Sequence, residues 1–251
     1  MKTLIAEWRL IKVALSFFTR LPVHIPDFRE SDLNHAVPYF PLVGIVVGLL
    51  AAAIFGIAIL VLPLELAVLA SMAATLWLTG AFHEDGLADA ADGLGGGSEK
   101  GQVLTIMQDS RLGSFGAIAL FMVLLVKFET LTHLSAPLLP AILVAGHALS
   151  RFAALLVIYT QSYVRAEGKA KPLATRLTTR ELWLGTAFGL LPLLLLAPKL
   201  WLALLPVALV WWWFSRKLQQ RLGGYTGDCL GAMQQLTEIA FYLGILVWSS
   251  I

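Results

Sequence analysis

The stretch FHEDGLADAADGLGGG, at positions 82–97, gathers the carboxylates Glu84, Asp85, Asp89 and Asp92 directly after a long apolar run. The three aspartates are spaced i, i+4 and i+7, which places them on one face of an α-helix. Like charges so arranged repel, and the cost rises beside a bilayer. A divalent cation is the natural compensation, and hard oxygen ligands suit Mg²⁺ or Mn²⁺. Glu84 lies about 100° from that face; it is placed to reach the ion, orient a ligand or accept a proton. A solvated loop carrying incidental acids is the plainer alternative. His83 adjoins the cluster as a base, a phosphate contact or a hydrogen-bonded structural group.

Three further stretches carry polar chemistry. Gly93, Gly95, Gly96 and Gly97 follow the acids; amides freed of side chains cradle phosphate oxygens, and a plain hinge would use the same residues. The ending required of a nucleotide P-loop is absent. In MQDSRLGSFG (107–116), Arg111 offers a planar fork for phosphate, and Ser110 and Ser114 offer hydroxyls. Asp109 is a further candidate ligand; a salt bridge and a helix cap are the structural alternative. In GGYTGDCLGAMQQ (223–235), Asp228 sits among Gly224, Gly227 and Gly231. It either closes the metal site from the opposite side of the bundle or caps a helix. Tyr225 and Thr226 are placed to meet substrate.

These stretches must be positioned by membrane helices. Of 251 residues, 58% are hydrophobic and only 14% charged, too few charges to cover a water-facing surface, for which about 25% is usual. The chain is therefore expected to be all-α, a polytopic membrane helical bundle forming a single integral membrane catalytic domain over 1–251. The lone Cys229 excludes an intrachain disulfide framework and a cysteine-rich metal site. A net charge of +2 gives no reason to expect a nucleic-acid partner.

Apolar residues at helical spacing (Leu4, Ile5, Trp8, Ile11, Leu15, Phe18) predict an N-terminal amphipathic helix on the membrane surface or against the bundle. Spans are expected at 37–64, 66–82, 112–126, 130–150, 182–198 and 200–215, with a last stretch reaching Ile251. The count is about seven, or six if the last stretch does not cross. Lys127 and Glu129 punctuate the third and fourth spans, and Arg151 marks a break or extension beyond the bilayer. With the N-terminus in the cytoplasm, the turns near Glu65, Lys127 and Lys199 face out. The loops 83–111, 165–180 and 215–230 face in, with most of the arginines and lysines, as the positive-inside rule requires. Arg165 and Lys169 are candidate phosphate contacts there, although topology alone explains a basic loop and anionic lipid would also bind it. The acidic stretch and Asp228 then share the cytoplasmic face.

Four ordered motifs, FFTRLPV at 17–23, FHEDGLADAADGLGGG at 82–97, DSRLGSFG at 109–116 and GYTGDCLGA at 224–232, resemble the cobalamin synthase family of adenosylcobinamide-GDP ribazoletransferases. The resemblance covers essentially the whole chain. It implies a Mg²⁺-dependent enzyme of the bacterial inner membrane, joining adenosylcobinamide-GDP to α-ribazole or its 5′-phosphate. The product would be adenosylcobalamin or its 5′-phosphate, with GMP released. On that reading Glu84, Asp85, Asp89, Asp92 and Asp228 form the metal set. Glu84, Asp89, Arg111 and His83 are the catalytic candidates, and Gly95, Gly96, Ser110, Arg111, Ser114, Arg165, Lys169 and Thr226 meet substrate. Membrane lipid and other cobalamin-assembly enzymes are the expected partners. Two alternatives stand beside it. Membrane CDP-alcohol phosphotransferases share an aspartate cluster, but an arginine follows their DGxxA segment, whereas DGLADAAD here places Asp89 soon after Gly86. A cation transporter would show internal halves, and no repeat is seen.

Overall fold

A computed structural model describes residues 2–165 and 177–250. Among them the chain is helical throughout, with no strand beyond one isolated bridge between Tyr163 and Tyr225. Helix α1 (Lys2–Phe18) leads into α2 (Glu30–Ala36), which continues through a 3₁₀ turn into α3 (Phe40–Ala58). Then follow α4 (Leu64–Thr79), α5 (Phe82–Gly96), α6 (Lys100–Ile106), α7 (Ser114–Thr132) and α8 (Leu139–Thr160). The chain closes with α9 (Thr179–Leu190), α10 (Leu204–Leu222) and α11 (Gly227–Ser249).

Among the described residues, five helical stretches are long and apolar enough to cross a membrane: 31–58, 114–132, 136–160, 198–222 and 227–249. A sixth arises if α4 and α5, bent by 84°, count as one broken span. The expected count of about seven is thus not confirmed. Residues 182–198 are apolar, but α9 stops at Leu190 and passes into a 3₁₀ turn containing Pro192, which lacks the amide that a continuing helix needs. Of the two alternatives at Arg151, the helix is not broken there: α8 continues unbroken through it for 22 residues, to Thr160. One further expectation is corrected: Lys127 is not at an outer turn but buried within α7.

The bundle is organised around α8 and α11, most of whose residues are buried, while α7 and α10 turn wide apolar faces outward. Helix α3 packs directly on α8 because Gly44 and Gly48 present no side chain: a methyl at Gly48 would lie 2.6 Å from the Val144 Cα. This small-xxx-small spacing lets membrane helices approach closely. The first half of α1 leaves Ile5 and Trp8 exposed, while Phe17 and Phe18 pack with Phe40 and Phe82. The second half of the helix thus packs against the bundle, one of its two expected settings.

A sharp corner positions the acidic helix. Gly80 and Ala81 both adopt left-handed backbone, at φ 64° and 54°. Glycine does so freely, whereas alanine is held there at a cost of ~1 kcal/mol or more. The amides of Gly80 and Ala81 close α4 by donating to the carbonyls of Trp77 and Leu76. The Ala81 carbonyl then accepts from Asp85 N at 2.8 Å and starts α5.

Candidate active site

Helices α5 and α11 meet backbone to backbone. A methyl at Gly86 would lie 3.1 Å from the Asp228 Cα, and one at Gly231 2.9 Å from the His83 carbonyl oxygen. Two small residues thus allow the seam that sets Asp228 beside the first turns of α5. The Asp89 carboxylate is repelled by Asp228 and Asp85 and attracted by Arg165. Asp85 is exposed, and Asp89 and Asp228 are partly so. The seam therefore opens to an edge of the bundle.

Arg165 arrives by a separate device. Val164 N donates to the Tyr225 carbonyl and Tyr225 N to the Ser162 carbonyl, both at 3.0 Å. This lacing of two segments needs Gly224, whose φ of 154° and contact with Ser162 leave no room for a side chain. It carries Arg165 past the end of α8, so that Nη2 lies 2.7 Å from Asp228 Oδ2. Thr226, not Asp228, caps α11: its buried hydroxyl accepts from Cys229 N at 3.3 Å and donates to Asp228 Oδ2 at 3.4 Å.

The other candidates are placed differently. Both Asp92 oxygens are occupied, accepting from Gly113 N and Gly116 N at 2.8 Å. Asp92 thereby caps α7 and ties it to α5, while its charge still acts on Asp89. Glu84 turns towards α11, where Oε1 accepts from Gln235 Nε2 at 2.8 Å and Oε2 is buried without a partner. His83 is buried and stacks on Phe18 at 5.4 Å, lining a cavity of about 30 Å³ with Phe82 and Arg151. Gly95 is no open cradle, since a methyl there would meet the Phe115 ring at 2.7 Å. Gly96 completes the last turn of α5. Ser110 and Ser114 are exposed near the start of α7. Arg111 is exposed and forks onto Asp109, at 3.0 Å from Nε to Oδ1 and 2.6 Å from Nη2 to Oδ2. That pairing holds the Asp109 carboxyl down at about 2. Lys169 lies outside the described residues.

Four contributors were not singled out from sequence. Arg221 closes the α5 C-terminus by donating to the carbonyls of Gly97 and Leu94; a basic residue near a glycine run is the signal that was available. Gln235, Gln234 and Glu238 extend the Glu84 contact into the bundle. Gln235 donates to Gln234 at 2.8 Å, and Gln234 donates to Ser150 at 3.0 Å and to Glu238. Glu238 is fully enclosed, ion-paired to Lys127 and 3.0 Å from His147 Nδ1.

Among the described residues, no three His, Cys, Asp or Glu side chains already form a metal-holding group. The donor chemistry at the seam nevertheless fits a hard cation. Asp85 and Asp89 are carboxylates to which no side chain of the described residues donates, and they repel a third carboxylate, Asp228. Mg²⁺ commonly takes one or two carboxylates and draws its other ligands from water and substrate phosphate, so a closed protein cage is not required.

Fold and site together define a multi-span helical membrane protein with an acidic seam at one end of the bundle. The family model for cobalamin-5-phosphate synthase matches residues 10–246. The chain is 47% identical to the adenosylcobinamide-GDP ribazoletransferase of Ralstonia pickettii (strain 12J), covering 100% of each chain. It is 45% identical to that of Shewanella amazonensis (strain ATCC BAA-1098 / SB2B), covering 99% of each, and 42% to that of Vibrio vulnificus (strain YJ016), covering 98% of each. No solved structure matches it. The chain belongs to the cobalamin-5-phosphate synthase family.

Proposed function

We propose that this chain, as a single catalytic domain, transfers the adenosylcobinamide phosphate moiety of adenosylcobinamide-GDP to a ribose hydroxyl of α-ribazole or its 5′-phosphate. The ribazoletransferase activity of relatives matched over their whole length supports the reaction class. The observation that carries the site is the meeting of Asp85 and Asp89 on α5 with the Arg165–Asp228 pair across the α5–α11 seam. The acceptor oxygen forms a bond to the phosphorus bearing the cobinamide. The bond from that phosphorus to the bridging oxygen breaks, GMP leaves with the bonding electrons, and the hydroxyl proton departs to a base.

Mg²⁺ is the proposed cofactor, and Asp85, Asp89 and Asp228 would hold it; when bound it would neutralise the pyrophosphate and the charge that develops on the leaving group. Arg165 keeps Asp228 oriented and brings a fixed positive charge to the phosphate. Asp89, partly exposed in the seam, is placed to take the hydroxyl proton. Glu84 and Asp92 hold α5 in place from either end of its acidic stretch, and Arg111, on the exposed loop before α7, is free to exchange Asp109 for a substrate phosphate. The site faces the cytoplasm of a bacterial inner membrane on this reading. Arg165 and Arg221, which touch Asp228 and the end of α5, support this side through the positive-inside rule.

The test is GMP release by purified protein given adenosylcobinamide-GDP and α-ribazole 5′-phosphate, with and without Mg²⁺. Mg²⁺-dependent GMP with a matching corrinoid product is expected. Folded protein that released none would overturn the proposal, and release of CMP from a CDP-alcohol would replace it.

A further inference from the structure

Away from the acidic seam, a groove of about 570 Å³ opens between the end of α8 and the last turns of α10. Thr160, Gln161 and Ser162 form one wall, Trp212, Ser215 and Arg216 the other, and among the described residues no Asp or Glu lines it. Its floor is polar and incompletely satisfied. Ser215 is 7% exposed and its Oγ has no hydrogen-bond partner, and Gln161 Oε1 has none either. The other end of the Gln161 amide is fixed, with Nε2 donating to the Ser215 carbonyl at 2.9 Å. The rim is cationic and aromatic, with Arg216 stacked over the Trp212 ring at 5.6 Å. The guanidinium is thereby oriented while its edges remain available.

The depth of the groove identifies what reaches it. At ~2.0 Å per residue for the turn Pro198–Ala203 and ~1.5 Å for α10, Arg216 lies about 30 Å from Pro198, the thickness of the hydrocarbon layer. Counted along α8, Gln161 lies about 33 Å beyond Leu139. Two candidate spans therefore bring their polar ends to the same level, where tryptophan and arginine meet headgroups. Trp212 and its neighbour Trp213 are both about half exposed, on a helix whose remaining surface is largely apolar and outward.

We infer that this groove is a binding site for the headgroup of an anionic glycerophospholipid. The phosphodiester takes charge-assisted hydrogen bonds from Arg216 and a bond from the Ser215 hydroxyl. A hydroxyl of the headgroup donates to Gln161 Oε1, and the acyl chains descend along α10. An anion is selected because the rim is cationic and no carboxylate opposes it. The inference is independent of the reaction proposed above, since none of the acidic residues borders the groove.

The test is native mass spectrometry of the full chain in detergent, titrated with phosphatidylglycerol or phosphatidylcholine. Phosphatidylglycerol is expected to be retained selectively. Arg216→Ala should weaken that retention about fivefold, the effect of one surface cation on an anionic lipid, and Ser215→Ala should weaken it too. Lys199→Ala, at the opposite end of α10, should leave it unchanged. Equal retention by wild type and Arg216→Ala would overturn the site. So would displacement of the lipid by millimolar inorganic phosphate, which would reassign the groove to a soluble phosphate, or by adenosylcobinamide-GDP, which would make it part of the substrate site.

Discussion

Arg165, just past the end of α8, lies 2.7 Å from the Asp228 carboxylate at the start of α11. The pair joins two segments that are also laced backbone to backbone through Tyr163 and Tyr225. Arg165→Ala is expected to lower the rate of GMP release by about 100-fold, the scale for loss of one fixed electrostatic donor. Arg165→Lys should recover only part of it, because lysine lacks the fork. A rate unchanged in both variants would confine the pair to holding the two segments together.

Asp89 and Asp92 should separate cleanly, although both lie on the acidic stretch. Asp89→Asn is predicted to cut turnover by about 10²–10³ while leaving membrane insertion and thermal unfolding close to wild type. Asp92→Ala strips two amides of α7 of their acceptor and should cost ~1–3 kcal/mol of stability. Its Mg²⁺ concentration for half-maximal activity should stay where it is. A shifted Mg²⁺ midpoint in Asp92→Ala would return that residue to the metal set.

Lys127 and Glu238 are predicted to behave as a unit. Lys127→Met or Glu238→Gln alone leaves a charge buried without its counter-ion and should destabilise by ~3–5 kcal/mol. The double variant should be less impaired than the sum of the two, measured as unfolding in detergent across a full double-variant cycle. Additive losses would show that the charges do not depend on each other.

Arg111→Ala tests the exposed fork. Its side chain is 87% accessible, so stability should change by no more than about 0.5 kcal/mol. The KM for the GDP-linked donor should rise. An unchanged KM would leave Arg111 with Asp109 as a surface pair.

Much of this arrangement was legible from residue spacing. The i, i+4, i+7 pattern set the three aspartates on one helical face, and α5 is indeed a helix where the span reading expected the start of a loop. Of the two roles open to Asp228, the cap falls to Thr226, and Asp228 lies against Gly86 of α5. Periodicity gives an angle around a helix, not the neighbour found there. Asp92 shares a face with Asp85 but lies about 10 Å further along, where the amides opening α7 claim both of its oxygens. The glycine run illustrates the same limit: Gly95 is small because Phe115 packs on it. Lys127 read as punctuation because hydropathy weighs a charge without regard to its partner. Residues 182–198 read as a span because their apolar sum conceals the effect of Pro192 on helix continuity.

The Lys127–Glu238 pair also bears on how the protein is made. Its members are separated by 111 positions, about ten seconds of synthesis at ordinary elongation rates. Throughout that interval α7 must reside at or in the bilayer with an ammonium group lacking its final counter-ion. Helix α11, synthesised well after α7, brings Glu238 and, one turn earlier, the Gln235 that reaches Glu84. Maturation of the acidic seam is thus tied to the arrival of α11, and until then Lys127 lacks its counter-ion.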